Sequence, residues 1–386
     1  MLAVVGLLVI GWLTLGFMTG ELRLPGTSNP DQGSGQPVGV ARTPAPSNVV
    51  VVDPRSDVPG SIVYVKGGNV WIQSGKNARQ LTTSGRASMP SWSPDGETVV
   101  YVESTEEAGR FPALGNPRRY AMEVPTLMRI ASDGRGQPEE LANGRVMIGE
   151  YNWFHWIRQP VVSPDGRTIA LVSDGPNPTQ RNVVLQILDL LTGEFSVPEV
   201  PETAPLGHQD PAWRPDGRLL LVVRNGQATS ARGAPVIVQF DLQTGLSTAL
   251  TSPGYLAPSW SHDGRWVAAT RSTSFGTDAV ILDAATGAEV FRVTDSGDAW
   301  SPVWSPLGDA IAYFHEEGGI VDLRLARLTG AAPEWRVSET INLTEVSALD
   351  GGSRPGWFVP TSQLPPLPTT LPSSPAATDA EATVAP

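Results

Sequence analysis

Six stretches of the chain repeat one phrase, and its cleanest copy is Pro258-Ser259-Trp260-Ser261-His262-Asp263-Gly264. Its relatives are Pro90-Ser91-Trp92-Ser93-Pro94-Asp95-Gly96, Pro160-Val161-Val162-Ser163-Pro164-Asp165-Gly166 and Pro211-Ala212-Trp213-Arg214-Pro215-Asp216-Gly217. A fifth, Pro302-Val303-Trp304-Ser305-Pro306-Leu307-Gly308, has lost the Asp, and a sixth, Pro355-Gly356-Trp357-Phe358, stops before the turn. From one Pro to the next the steps are 70, 51, 47, 44 and 53 residues. A period of this size means stacked supersecondary units that bury their apolar faces only against each other. Length alone would allow two or three domains in 386 residues. The repeat argues for one large body with flanks.

Each copy reads as strand, turn, strand. Pro suits the first residue of a strand because it donates no ladder hydrogen bond. Pro-Asp-Gly then makes a tight turn: Pro pre-sets φ, Asp bonds its own backbone and Gly takes positive φ. Apolar runs follow at 98–102, 169–172, 219–223, 266–269 and 310–314. They are short and bounded by turn residues, so they predict buried strands. Third strands are expected at 127–131, 183–189, 236–241, 279–283 and 321–328. A fourth closes each unit, often as an apolar-Thr pair: Leu81-Thr82, Leu250-Thr251, Val293-Thr294, Leu343-Thr344. Four antiparallel strands per unit at this period is a β-propeller blade. The motif Trp is read as an anchor packed between blades, and the motif Asp as a turn residue.

The ends complement each other. The last copy, at Pro355, has no strands after it, while 61–65, 69–72 and 79–81 are three strands without a motif. The expected fold is therefore all-β, a six-bladed propeller whose last blade is closed by both chain ends. Closure removes open sheet edges.

The Pro-x-Trp-Ser-Pro-Asp-Gly phrase, followed by an apolar strand and a later apolar-Thr, resembles the bacterial TolB-like, WD-repeat-like propeller repeat over about residues 60–360. The same repeat occurs in the propellers of prolyl-oligopeptidase-type enzymes. The resemblance implies an envelope-associated scaffold that binds a protein or peptide. TolB's own N-terminal globular domain is not part of the likeness.

The flanks read differently. Residues 1–20 carry no charge and are mostly apolar, enough as a helix to span a bilayer core. No basic residue precedes them and no Ala-x-Ala follows, which favours a retained anchor over a cleaved signal peptide. Residues 21–59, rich in Gly, Pro and Ser, read as a disordered tether, and 361–386 as a disordered Pro/Thr/Ala tail. Charge gives no clear orientation: Arg23 after the span would by itself place the body in the cytoplasm. The resemblance and the tether chemistry favour an extracytoplasmic propeller, secreted if the segment is cleaved.

Composition removes several classes of function. The net charge is −12, without a basic patch, which argues against nucleic acid as a partner. There is no Cys, so no thiolate metal site or Cys nucleophile. No Gly-x-Ser-x-Gly, Walker or His-Glu-x-x-His motif occurs, and the chain after the repeats is too short for a hydrolase domain. Asp174-Gly-Pro-Asn177 and Asp295-Ser-Gly-Asp298 carry oxygen ligands but read as turns. No cofactor and no metal site is expected, and the chain is expected to be a monomer.

The expected function is a membrane-tethered binding scaffold for an envelope protein, peptide or glycan. The alternative is a hydrolase or lyase at the channel mouth using His208, Asp210 and Asp298. One face should carry the 103–125 insertion, the aromatic stretch 151–158 and the residues preceding each motif Pro. The candidate binding residues there are Trp153, His155, Trp156, Arg158, His208, Asp210, Tyr255, Asp298, Trp300 and Arg354. Aromatic and Arg residues on one rim are the composition of interface hot spots. His262 takes the place of the turn Pro and reads as structural, and His315 as rim.

Overall fold

The computed structural model describes residues 53–111, 118–175, 182–198, 200, 207–225, 234–369 and 371. The expected anchor and most of the tether lie outside them. Among the described residues no helix is long and apolar enough to cross a membrane.

Six blades surround a channel, numbered here from the one that closes the ring. In blade 1 the innermost strand is Gly356–Phe358, and Ser61–Lys66, Asn69–Ser74 and Asn77–Gln80 lie outside it in that order. Ser61 pairs with Phe358 and Val63 with Gly356, so the two ends of the repeat region meet as its pattern requires. Blades 3 to 6 begin at inner strands Arg158–Val162, His208–Trp213, Tyr255–Trp260 and Ala299–Trp304. Each is followed outward by three antiparallel strands.

The core lies between blades rather than within them. Six apolar clusters form, each from the facing sides of two neighbours, the pair across the closure included. The strand Leu219–Arg224 shows why its run is continuously apolar. Leu219, Leu221 and Val223 join the cluster toward blade 5, while Leu220 and Val222 join the one toward blade 3. A strand alternates its side chains across two faces, and here both faces are buried. The motif Trp side chains bridge the same seams. The indoles of Trp92, Trp213 and Trp260 donate to the Gly356, Val161 and Ala212 carbonyls of the preceding blade, at 3.2, 3.0 and 3.1 Å.

The turn chemistry is as expected from the motif and adds a Ser. Ser93, Ser163 and Ser261 donate to Asp95, Asp165 and Asp263 at 2.5–2.6 Å. The Ser93 and Ser163 hydroxyls help hold the Asp95 and Asp165 carboxyls below their usual range. In blade 6, where Leu307 replaces the turn Asp, Ser305 turns to Asp309 instead, at 2.6 Å.

Four expectations need correction. The inner strands of blades 2 to 6 start two or three residues before the motif Pro, as in Ala87–Trp92, because a left-handed residue lets the strand continue through a register shift. The stretch 103–125 is not a separate insertion: the second and third strands of blade 2 run on as Thr98–Phe111 and Arg118–Ala131, paired throughout. The apolar-Thr pairs lie just past the fourth strands. There the apolar N–H donates to one carbonyl of the third strand, and the Thr hydroxyl accepts from the N–H of the same residue. Finally, the ordered body exceeds 60–360. Val58 is buried in the cluster between blades 6 and 1, and Leu364 packs against it.

Candidate functional site

Two surfaces gather six of the candidate residues. The first is the channel. Met89, Gln159, Asp210, Ala257 and Ser301 each precede a motif Pro and each has φ between 48° and 54°. A non-Gly residue held there costs about 1–3 kcal/mol, and such strain collects at functional positions. At each of the five the inner strand shifts register against its neighbour.

The five strained backbone amides are each satisfied by a side chain of the preceding blade, Ser301 N–H by Thr270 Oγ1 at 2.9 Å among them. Met89 N–H donates to Ser353 Oγ at 3.0 Å, and Gln159 N–H to Met89 Sδ at 3.2 Å. Asp210 N–H donates to Gln159 Oε1 at 2.9 Å, and Ala257 N–H to Asp210 Oδ2 at 3.1 Å. Gln159 Nε2 also donates to Asp210 Oδ1 at 2.7 Å. Arg354 reaches from blade 1 to the Pro258 carbonyl of blade 5 at 2.6 Å and lies 3.9 Å from Asp210. Burial pulls the Arg354 guanidinium down from its ordinary range and the Asp210 carboxylate opposes that; an Arg stays charged in either case. Met89, Gln159 and Arg354 line a cavity of about 300 Å³ together with five of the motif prolines and Trp213, Trp260 and Trp357.

Asp210 is thus a bonding centre. Asp210→Ala is expected to strand Gln159 Nε2 and the Ala257 amide, at about 1–3 kcal/mol for each buried donor left without a partner. A lower urea midpoint at unchanged slope is the reading that checks it.

The second surface is an arm. The doubled-length hairpin of blade 2 is joined by another, Arg145–Ile148 and Tyr151–Phe154, which pairs with it at Arg110 and Asn152. This hairpin continues the edge of Thr98–Phe111 on which the inner strand Ala87–Trp92 also lies. Arg110 bonds Glu150 at 2.6 Å and lies over the Tyr151 ring, and Arg145 bonds Glu107. Trp153, on the arm strand Tyr151–Phe154, is buried, whereas Trp156 is 43 % exposed, edge-on to Phe154 and under the Arg158 guanidinium. The Trp156 amide donates to Asp174 at 2.6 Å. Burial lowers the His155 imidazole below its usual range, against the pull of Asp174.

The candidate set therefore divides. Asp210 and Arg354 meet in the channel, joined by Gln159, which the sequence reading passed over although it precedes a motif Pro as Asp210 does. Trp153, His155, Trp156 and Arg158 lie at the base of the arm. The others have separate engagements. His208 is buried and accepts from the Leu185 amide at 3.1 Å. The Tyr255 hydroxyl donates outward to Glu289 at 3.2 Å. Asp298 pairs with His315 at 3.2 Å. Trp300 packs on Phe314 and donates to the Gly351 carbonyl at 2.9 Å. His208, Asp210 and Asp298 each have distinct structural partners. Among the described residues no three acidic or His side chains gather as a metal site.

No protein-family model matches the chain, and no curated protein matches it in sequence. Its fold does match solved structures. The chain is similar to TolB from Acinetobacter baumannii at 19 % identity, with 78 % of this chain and 67 % of that one covered and a TM-score of 0.56. It is similar to a putative TolB from Agrobacterium tumefaciens at 18 % identity, with 77 % and 93 % covered and a TM-score of 0.53. A chain of a Nidogen/Laminin complex aligns at 9 % identity over 77 % and 97 %, with a TM-score of 0.51. The resemblance read from the repeat holds at the level of fold: this is a TolB-like six-bladed propeller.

Proposed function

We propose that the chain is a membrane-tethered, extracytoplasmic scaffold that binds a protein or peptide along the arm of blade 2. The observation that carries this is the edge strand Arg145–Ile148. It is the last strand of its sheet among the described residues, and Met147 and Ile148 are 64 % and 60 % exposed. Soluble proteins blunt an open edge with unpaired charge, Pro or a cover. Here the one charge on the strand, Arg145, is engaged by Glu107. An open apolar edge is the template for strand addition by a partner, with side-chain pockets supplying specificity. Trp156 and Arg158, stacked at the foot of the arm, add the aromatic and guanidinium groups that anchor interfaces. The uncharged segment 1–20 and the tether after it supply the attachment.

A membrane-impermeant crosslinker applied to intact cells or spheroplasts tests location and surface together. The full chain is expected to be crosslinked to a defined partner. The variant M147D/I148D/W156A is expected to lose at least tenfold of that product with an unchanged melting temperature, because all three side chains are exposed. Equal capture by the variant would remove the arm from the binding surface, and no labelling outside the membrane would place the propeller inside.

A further inference from the structure

The chain does not leave the ring after its closing strand. It makes a short turn of 3-10 helix, Thr361–Gln363, and Leu364 follows at φ −77° and ψ 142°, the polyproline II conformation. From there Leu364-Pro365-Pro366-Leu367-Pro368 runs over the face formed by the Pro-Asp-Gly turns. Pro365 forms part of the wall of the cleft between the turns of blades 5 and 6. Leu367 borders the equivalent cleft between blades 3 and 4, which shares Pro164 and Pro215 with the channel lining. Leu371 Cδ2 lies 3.0 Å from where a Cβ on Gly264 would stand.

The repeat departs from its own pattern where this segment lands. His262 stands in place of the turn Pro in blade 5, and Leu307 in place of the turn Asp in blade 6. Both line the Pro365 cleft. His262 Nε2–H donates to the Pro365 carbonyl at 2.8 Å, which fixes the tautomer because a carbonyl only accepts. A polyproline II chain makes no internal hydrogen bonds, so a donor of this kind meets an otherwise solvated carbonyl. Trp266, Trp304 and Trp335 line the rest of this cleft, and Trp213 the one holding Leu367. Aromatic clefts with a donor are how proline-rich extended peptides are recognised.

We infer that the turn face is a second docking surface, for extended Pro/Leu-rich segments of a partner protein, and that residues 364–369 are its resident, displaceable occupant. The surface lies on the side of the ring opposite the arm, so it stands whether or not the arm binds anything. Leu367 is 45 % exposed in its cleft, which suits an occupant that can be replaced. A tethered segment competes at an effective concentration of about 1 mM, so a free peptide with an intrinsic Kd near 100 μM would bind the intact chain about tenfold more weakly than its Kd.

The test uses a fluorescent peptide with the sequence of residues 362–369 and the full-length chain. Binding to the variant L367D/L371D is expected to be about tenfold tighter than to the unaltered chain, because the resident segment no longer competes. Adding His262→Ala to that variant should weaken the peptide several-fold, and a peptide carrying Asp at the Leu367 position should not bind. All variants change surface side chains, and matched melting temperatures confirm that the ring is intact. Equal affinity for the two chains, no binding to either, or equal binding of the Asp-bearing peptide would each overturn the inference.

Discussion

Deletion of residues 353–360 is expected to open the ring and make the protein aggregate. The segment is short, but its contacts are spread around the circle. Gly356–Phe358 supplies the inner strand of blade 1, and Trp357 lies in the cluster shared with blade 6. The Gly356 carbonyl accepts from Trp92 of blade 2 at 3.2 Å, and the Trp92 and Phe358 rings lie 5.4 Å apart. Ser353 accepts from the strained Met89 amide, and Arg354 crosses to blade 5. Losing one buried Trp costs about 3–5 kcal/mol, and each intramolecular hydrogen bond about 1 kcal/mol. Together they approach roughly 5–10 kcal/mol, against the 5–15 kcal/mol by which a folded domain is stable. The deletion also bares the edge of Ser61–Lys66, which would template pairing with other chains. Size-exclusion chromatography and a thermal melt read both effects. A monomer with an unchanged melting temperature would show that the ring does not depend on its closing strand.

The closure was legible in the sequence because the two ends were incomplete in complementary ways: a motif without strands and three strands without a motif. The Trp seams were legible because they recur. The strained ring was not. Met89, Gln159, Asp210, Ala257 and Ser301 share a backbone conformation but no side-chain chemistry, and none is the Gly that would signal positive φ. The length of the blade 2 strands was hidden for a different reason. Beyond the ring they leave the inter-blade core, so Glu103, Glu106, Glu107 and Arg110 interrupt the apolar pattern on which strands are recognised. The apolar-Thr pairs were visible, but as strands. Their role in clipping the chain to the third strand rests on a hydroxyl contact that periodicity does not encode. The docked start of the tail was invisible for a reason of the same kind. Its Pro/Thr/Ser composition cannot build a core of its own, and its clefts are made by residues of other blades, His262 and Leu307 among them.

Trp260→Ala is expected to destabilise the propeller by about 3–5 kcal/mol, the range for truncating a large buried side chain. Trp260 is 8 % exposed and sits on the inner strand Tyr255–Trp260 with its ring in the seam between blades 4 and 5, among Leu219, Leu221, Val267 and Leu282. Its indole N–H donates to the Ala212 carbonyl at 3.1 Å, and the Arg214 guanidinium lies 6.0 Å from the ring. Three losses therefore combine: the apolar contact, one inter-blade hydrogen bond, and a stacking partner for an Arg that is itself buried. Trp260→Phe separates them. It keeps most of the apolar contact and gives up the N–H, so it should cost less than the Ala variant, with about 1–2 kcal/mol from the unmade bond. Urea unfolding should show a lower midpoint at the same slope for both variants, ordered wild type, Phe, Ala. The neighbouring seam supplies a control, since Trp213 is only half-buried and its truncation should fall below that of Trp260. A Trp260→Ala midpoint equal to wild type would mean that the seams between blades, and not only this residue, contribute little to holding the ring shut.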